Sequence, residues 1–591
     1  MFHHRNIDSM FLSPMWPQRG ESWGLYKITK QSAPITCKNG TVVTTEREQA
    51  ARWLQHFQEV LNFPQPDTPA NPQPAIEVLN INISPITVSE IKDALKAMKS
   101  GKAAGIDSIV TEMLMADPVT ATSVLVDLFK TIWESDTIPS DWAKGLIVKL
   151  PKKGNLQICD NWRSITLLSI PSKIFCRVLL QRIEPVIDNK LREEQAGFRK
   201  GRGCIDQIFA LRNIIEQCIE WNVPLYINFI DFRKAFDSVH RETLWNILRS
   251  YGIPDKLITL ISLFYNHFEC SVIINSQTLS EWFPVESGVR QGCILSPFLF
   301  LLSLDWIMRN TTSDKRRGIQ WTPFSHLEDL DFADDLAVLS SKRDHLQEKT
   351  DRLSNYAKQT GLNINTAKTQ VMCINTTNPT PITVNGVPLD FAEDFTYLGS
   401  LIGKDNGAKK DIQARLSKAR GAFARLQPIW KSRQYHLRTK IQLYNSCVKS
   451  VLMYGSECWR VVKGDMNKIS AFHNGCLRKI CRIFWPNKIT NRELYSKTGC
   501  RDVVREIKLR RLRWLGHVLR MDNERIPKAA LRWTPPGKRK PGRPKNTWRR
   551  TVEGELKEMK LTWGEAQRVA QQRDEWRRVV EALFPIREEE D

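Results

Sequence analysis

Two adjacent carboxylates, Asp334 and Asp335, stand inside the apolar run Leu330-Asp331-Phe332-Ala333-Asp334-Asp335-Leu336-Ala337-Val338-Leu339. The pattern predicts a β-hairpin with the acidic pair at its turn. An ionised carboxylate is costly to bury without a partner, so such a pair calls for a cation, and a divalent metal suits it. A further carboxylate, Asp231, ends the β-rich stretch Leu225-Tyr226-Ile227-Asn228-Phe229-Ile230. From Arg233 to Ser250 the apolar positions take helical spacing, so Asp231 sits where a strand gives way to a helix. If that strand lies beside the hairpin, the three carboxylates converge and can hold two Mg²⁺ ions about 3.5–4 Å apart, which is the chemistry of nucleotidyl transfer. The plain alternative is that an aspartate doublet is a solvated turn. Glu328, Asp329 and Asp331 are expected to be only the polar shoulder of the hairpin.

The elements that must position these carboxylates carry further motifs in a fixed order. Ser100-Gly101-Lys102-Ala103-Ala104-Gly105-Ile106-Asp107 comes first, then Leu150-Pro151-Lys152-Lys153-Gly154 and Asn161-Trp162-Arg163-Ser164-Ile165. Gln195-Ala196-Gly197-Phe198-Arg199-Lys200-Gly201-Arg202 precedes the Asp231 segment, and Ser287-Gly288-Val289-Arg290-Gln291-Gly292-Cys293-Ile294-Leu295-Ser296-Pro297 follows it. After the hairpin come Gly361-Leu362-Asn363-Ile364-Asn365 with Lys368, then Tyr397-Leu398-Gly399. This ordered series, over roughly residues 99 to 403, resembles the reverse transcriptase of non-LTR (LINE-type) retrotransposons, most of all the RTE-like group.

The resemblance implies an α+β right-hand polymerase with fingers, a palm built on an antiparallel sheet, and a helical thumb. It implies Asp231, Asp334 and Asp335 as catalytic carboxylates and metal ligands, with the backbone carbonyl of Phe232 completing the metal shell. The cofactor is then Mg²⁺, two ions, for which Mn²⁺ can substitute; the partners are an RNA template, a DNA primer or target and dNTPs. Phe236 matches the bulky residue that packs under the incoming sugar and excludes a ribose 2′-hydroxyl, although by helical spacing alone it reads as a core phenylalanine. Arg163 and Lys152 match positions that lean on the triphosphate, where fixed positive charge offsets the transferring group. Ser164 replaces the proline of many relatives. Gly288 and Gly292 bracket Arg290-Gln291 ahead of an apolar helix; glycine there would let a base pair or sugar approach the backbone. Gln291 and Lys368 join the substrate-binding set.

The remaining chain is read from composition. Lys and Arg total 87 against 64 Asp and Glu, a net charge of +23 over 591 residues, which favours a polyanionic partner. The run from Cys293 to Met308 is too short for a membrane span and is interrupted by Asp305, so a buried helix is expected. Met1 to Gly20 has no apolar core of a signal peptide. Thirteen cysteines without close pairing fit free thiols in a reducing compartment, nuclear or cytoplasmic. His473, Cys476 and Cys481 read as core packing rather than metal ligands.

Residues 1–62 form an extension with a helix over Glu46 to Leu61, and 63–83 a Pro-rich linker that separates it from the catalytic unit. Residues 84–403 read as fingers and palm, 404–500 as a helical thumb and 501–591 as a basic C-terminal region. In the last, Lys538-Arg539-Lys540-Pro541-Gly542-Arg543-Pro544-Lys545-Asn546-Thr547-Trp548-Arg549-Arg550 holds seven basic residues in thirteen and no acid. Its core resembles an AT-hook with Pro541 in place of the first arginine, so Lys538, Arg539, Lys540, Arg543 and Lys545 are candidate nucleic-acid contacts. Leu512-Arg513-Trp514-Leu515-Gly516-His517-Val518-Leu519 extends the likeness to RTE-like elements. Relatives of that kind carry an upstream endonuclease, and no segment before Ser84 is long enough for one. The readings that compete with a polymerase are a group II intron-type maturase and a non-catalytic nucleic-acid-binding remnant.

Overall fold

The computed structural model describes residues 34–582 apart from 39, 153, 276–277, 314–315, 378, 406, 461, 540 and 543–545. The reading of Met1 to Gly20 and the candidates Lys540, Arg543 and Lys545 lie outside the described residues.

Strands are labelled in chain order. One sheet takes β1 (Lys144–Pro151), β2 (Trp162–Leu167), β4 (Glu269–Val272) and β5 (Phe283–Pro284) in the order β2-β1-β4-β5. The second takes β3 (Leu225–Ile230), β6 (Asp329–Phe332), β7 (Asp335–Ser340), β8 (Gln370–Ile374) and β9 (Asp390–Phe391) in the order β6-β7-β3-β8-β9. Its four leading strands pair antiparallel and β9 joins in parallel. β3, at the centre, is buried from Ile227 to Ile230, as a strand covered on both faces must be.

Each face of this palm sheet packs on its own core. Behind one face lie the apolar helix Ser296–Thr312, with Leu299 to Leu302 and Leu304 buried, and the helix Arg343–Gln359. The N-terminal helix Glu46–Leu61 joins this core through Trp53, Phe57, Val60 and Leu61, a helical stripe started by an N-cap at Thr45. The other face is covered by the helix Cys204–Trp221 and by the C-terminal helices. A third core belongs to the helices between Ala408 and Ile507. Among the described residues no helix is long and apolar enough to cross a membrane.

Two expectations change. The Pro-rich stretch does not separate the N-terminal helix from the catalytic unit: it is strapped across it. The Ala70 N–H donates to Gln359 O, Ala75 to Arg249 O and Leu79 to Gly252 O, and Ala70 and Ile81 are buried. Proline-rich chain is extended and leaves few donors unmet, so it lies readily in a groove between helices. Nor are Arg549 and Arg550 free members of a basic run. Arg550 pairs with Glu220 at 2.6 Å and Arg549 donates to the carbonyls of Ala530 and Trp533, tying the helix Trp548–Glu558 to the palm layer.

The helix Val503–Arg520 closes on Arg573–Ala582 at Gly516, where an added Cβ would lie 2.1 Å from Nε1 of Trp576. That indole is buried and donates to Leu512 O. Alanine normally stabilises a helix by up to about 1 kcal/mol relative to glycine. Gly516→Ala should instead lower the melting temperature, by the equivalent of about 1–3 kcal/mol of overpacking. Gly554→Ala, where a Cβ meets nothing within 4 Å, should not lower it. Equal shifts for the two would show that the C-terminal helices are not packed in this way.

Candidate active site

β7 runs antiparallel to β3 with Leu336 opposite Ile230, so one further step of the register sets Asp335 opposite Asp231. Phe332 pairs with Asp335 across the hairpin, leaving Ala333 and Asp334 as its turn. Asp231, Asp334 and Asp335 therefore meet at one end of the palm sheet. Asp231 is held from the next segment: Asn365 Nδ2 donates to its Oδ2 at 3.3 Å, Lys368 Nζ stands 3.6 Å from the same oxygen, and its N–H donates to Thr369 Oγ1. The Asp231 carbonyl accepts from the Asn365 N–H. Because successive carbonyls of extended chain face opposite edges, that of Phe232 faces the Asp334 hairpin.

Asp334 and Asp335 are exposed, yet surrounding protein strips away much of their hydration. Burial pushes the Asp335 carboxyl up to about 7, with the charges of Asp334 and Asp231 adding to the rise. Asp334 is also raised, by burial and by Asp231, against the pull of Arg163. This all-oxygen donor set suits a hard divalent cation, which would relieve the crowding of negative charge. Among the described residues no three acidic, histidine or cysteine side chains are already drawn together tightly enough to grip a metal ion.

A cationic group faces them. Lys152 lies just beyond β1 and Arg163 on β2, and the Lys152 ammonium is lowered by burial, by Arg163 and by Lys234. Lys234, in the left-handed region at φ +47°, reaches Asp160 at 3.2 Å; the sequence reading missed it. Phe236 stacks on Phe300 at 4.4 Å and meets Phe198 edge-on, and is half-buried.

Gln291 donates to Oδ1 of Asp237 at 2.7 Å, and its carbonyl accepts from the Thr166 N–H. Gly288 and Gly292 have a different reason from the one expected. Their φ values are +71° and +123°, and an added Cβ would lie 2.5 Å from the Asp237 backbone and 2.3 Å from Thr166 O respectively. Protein backbone fills the space where a Cβ would stand. Arg290 is likewise committed: it is buried over the rings of Phe264, Tyr265 and Phe268 and donates to Trp142 O. Lys538 and Arg539 are exposed and away from this cluster of contacts, with Arg539 reaching Glu220 at 3.6 Å.

The reading of Asp329 and Asp331 as a polar shoulder is overturned. Both are fully buried and both bind Arg192, whose guanidinium donates to the two oxygens of Asp329 at 2.9 and 2.8 Å and to Asp331 Oδ2 at 2.6 Å. Asp305, the acid inside the apolar helix, completes the set at 3.3 Å and also accepts from Tyr251 and Arg309. Burial would lower the Arg192 guanidinium, but Asp329, Asp331 and Asp305 hold it well above its usual range. Glu328 is engaged too, by buried Lys349 at 2.9 Å. Period-two alternation explains the arrangement, since Asp329 and Asp331 share one face of β6 while Leu330 takes the other.

From the same segment as Arg192, Gln195 Oε1 accepts from the N–H groups of Gly197 and Ala333. Ala333 is left-handed at φ +54°, a conformation costing about 1–3 kcal/mol for a residue with a Cβ. A Cβ on Gly197 would lie 2.2 Å from Ala333 N. The segment is thus moulded to the turn that presents Asp334.

A palm sheet with three carboxylates gathered at its end is the architecture of the right-hand polymerase fold. Residues 150–402 match the family model for reverse transcriptase (RNA-dependent DNA polymerase), and residues 422–454 match a domain of unknown function, DUF6451. The chain is 27% identical over 492 residues to a probable RNA-directed DNA polymerase from transposon BS of Drosophila melanogaster, covering 78% of this chain and 53% of that protein. It is 26% identical over 415 residues to the RNA-directed DNA polymerase from mobile element jockey of Drosophila funebris, covering 68% and 44%. A type-1 retrotransposable element R2 polyprotein of Popillia japonica is 26% identical over 340 residues, covering 56% and 46%. A solved structure of apo telomerase from Candida Tropicalis aligns over 48% of this chain and 59% of that one at 16% identity, with a TM-score of 0.33, too slight a likeness to add to the assignment. The chain is thus similar, over residues 150–402, to reverse transcriptases, and over a longer stretch to polymerases of non-LTR retrotransposons, and it spans about half the length of the first curated relatives it matches. These likenesses favour neither a maturase nor a non-catalytic remnant.

Removing Arg192 would leave three buried carboxylates without their shared cation. Arg192→Met should cost about 3–5 kcal/mol, read as a lower denaturant midpoint. Arg192→Lys, with a point charge in place of the fork, should recover only part of it. A midpoint unchanged in Arg192→Met would show that the cluster is not holding the hairpin.

Proposed function

We propose that the chain is an RNA-directed DNA polymerase that adds dNTPs to a primer 3′-hydroxyl on an RNA template. The observation that supports this reading is the β3–β7 register, which brings Asp335 beside Asp231 with Asp334 in the adjoining turn, near Arg163, within the stretch that matches the reverse transcriptase model. In the reaction the primer oxygen bonds to the α-phosphorus, the α–β phosphoanhydride breaks and pyrophosphate leaves. The family uses divalent metal ions, and Mg²⁺ is the ion proposed here. Asp231, Asp334, Asp335 and the Phe232 carbonyl would hold two of them, supplying activation of the attacking hydroxyl and stabilisation of the leaving phosphate.

The remaining work falls to the protein. Lys152, Arg163 and Lys234 offset the charge of the triphosphate, and Lys368 and Asn365 fix the orientation of the Asp231 carboxylate. Phe236 forms the floor under the sugar, braced by Phe300; Gln291, braced by Asp237, borders it. Residues 84–403 act as fingers and palm, 404–500 as thumb, and 501–591 as a helical layer with its basic loop.

Primer extension on poly(rA)/oligo(dT) with Mg²⁺ and dTTP tests the reading. The native chain should extend the primer and Asp334→Ala should not, while both bind the duplex. Duplex binding by both with extension by neither would leave a non-catalytic nucleic-acid binder. In the same assay Phe236→Ala should raise ribonucleotide use relative to deoxynucleotide use by at least about tenfold, the scale of discrimination by small steric differences in a pocket. Unchanged sugar selectivity would remove Phe236 from that role.

A further inference from the structure

The helices between Ala408 and Ile507 end, on one side, in two loops that carry exposed aromatic rings. Trp485 is 80% exposed, Phe484 59% and Tyr435 48%. Large apolar rings this open to water on adjoining loops mark a contact surface. The loops are joined: the Arg482 guanidinium donates to Lys431 O, and Arg478 donates to Ile489 O, fixing the base of the second loop. Lys488 Nζ sits 5.1 Å from the centroid of the Trp485 ring.

Charge decides what the surface suits. No acidic residue occurs between Asp411 and Glu457, nor between Asp465 and Glu493. The aromatic loops lie within these two stretches, alongside exposed Lys431, Arg433, Arg438, Arg482 and Lys488. A protein-docking patch would be expected to mix charges at its rim. Planar rings set among cations, with no acid in either stretch, match the bases and phosphates of a single strand.

We propose that Phe484 and Trp485, with Tyr435 beside them, form a stacking platform for unpaired nucleotides of single-stranded nucleic acid, whose phosphates the neighbouring Lys and Arg side chains engage. The platform rests on the polymerase reading for its nucleic-acid partner. It adds a site for unpaired strand, outside the carboxylate centre. Stacking on an exposed ring tolerates any base, so the platform holds strand without reading sequence.

The test is fluorescence anisotropy of labelled dT20 and rU20, and of a blunt duplex, with the full chain in the absence of divalent metal and dNTPs. Phe484→Ala with Trp485→Ala should weaken single-strand binding at least about fivefold, consistent with the loss of base stacking, and leave blunt-duplex binding unchanged. Trp485→Phe should largely restore affinity where Trp485→Leu does not. Arg482→Gln with Lys488→Gln should reduce the dependence on salt, which the aromatic variants should leave intact. All four side chains are exposed, so the variants are expected to fold. Native single-strand binding that the aromatic variants share, or full restoration by leucine, would overturn the platform and leave the polymerase reading standing. No binding of any nucleic acid by the native chain would overturn both.

Discussion

The grip of one guanidinium on three carboxylates holds this palm together. Arg192 reaches Asp329 and Asp331 on β6 and Asp305 on the helix behind the sheet, all of them buried. Burial together with Asp329 pushes the Asp331 carboxyl well up, against the pull of Arg192, and Arg309 shares the charge of Asp305. Such an arrangement contributes little net stability against an apolar replacement, but breaking it leaves charge stranded. Its effect is to fix where β6 lies. Because β6 and β7 are one hairpin, fixing β6 also fixes the turn at Ala333 and the carboxylates beside it.

The hairpin thus carries two acidic sets with opposite fates. Asp329 and Asp331 face inward and are held by Arg192, so they are structural. Asp334 and Asp335 are exposed at the end of the sheet, where burial raises both carboxyls and Asp231 adds to the rise of each. The Gln195 side chain and the close approach of Gly197 to Ala333 connect the sets across a single turn. Contacts of this kind fix the backbone of the turn that presents Asp334.

Much of this was legible in the sequence. The strand ending at Asp231, the hairpin at Asp334 and the helix over Glu46 to Leu61 all follow from local pattern, because period and propensity act within a few residues. What could not be read were pairings made over long separations. Arg192 meets Asp305 and Asp329 across more than a hundred positions, and nothing local separates an aspartate on a solvated shoulder from one facing a buried arginine. The alternation Asp329-Leu330-Asp331-Phe332 was the available signal, since two acids on one strand face next to a buried hairpin need a partner. Gly288 and Gly292 misled for a similar reason: a glycine declares close approach without saying whether ligand or backbone approaches. The proline-rich stretch declared extension, but its groove is built by Arg249, Gly252 and Gln359, far along the chain.

If the end of the palm sheet is the proposed two-metal centre, Asp231, Asp334 and Asp335 must together bind two ions. Counting bound Mn²⁺ by electron paramagnetic resonance, with template–primer and an unreactive dTTP analogue present, tests it most directly. Two ions per chain are expected for the native protein, with weakened or lost binding in Asp231→Asn and Asp334→Asn. Failure to bind Mn²⁺, or binding that both substitutions leave unchanged, would contradict it.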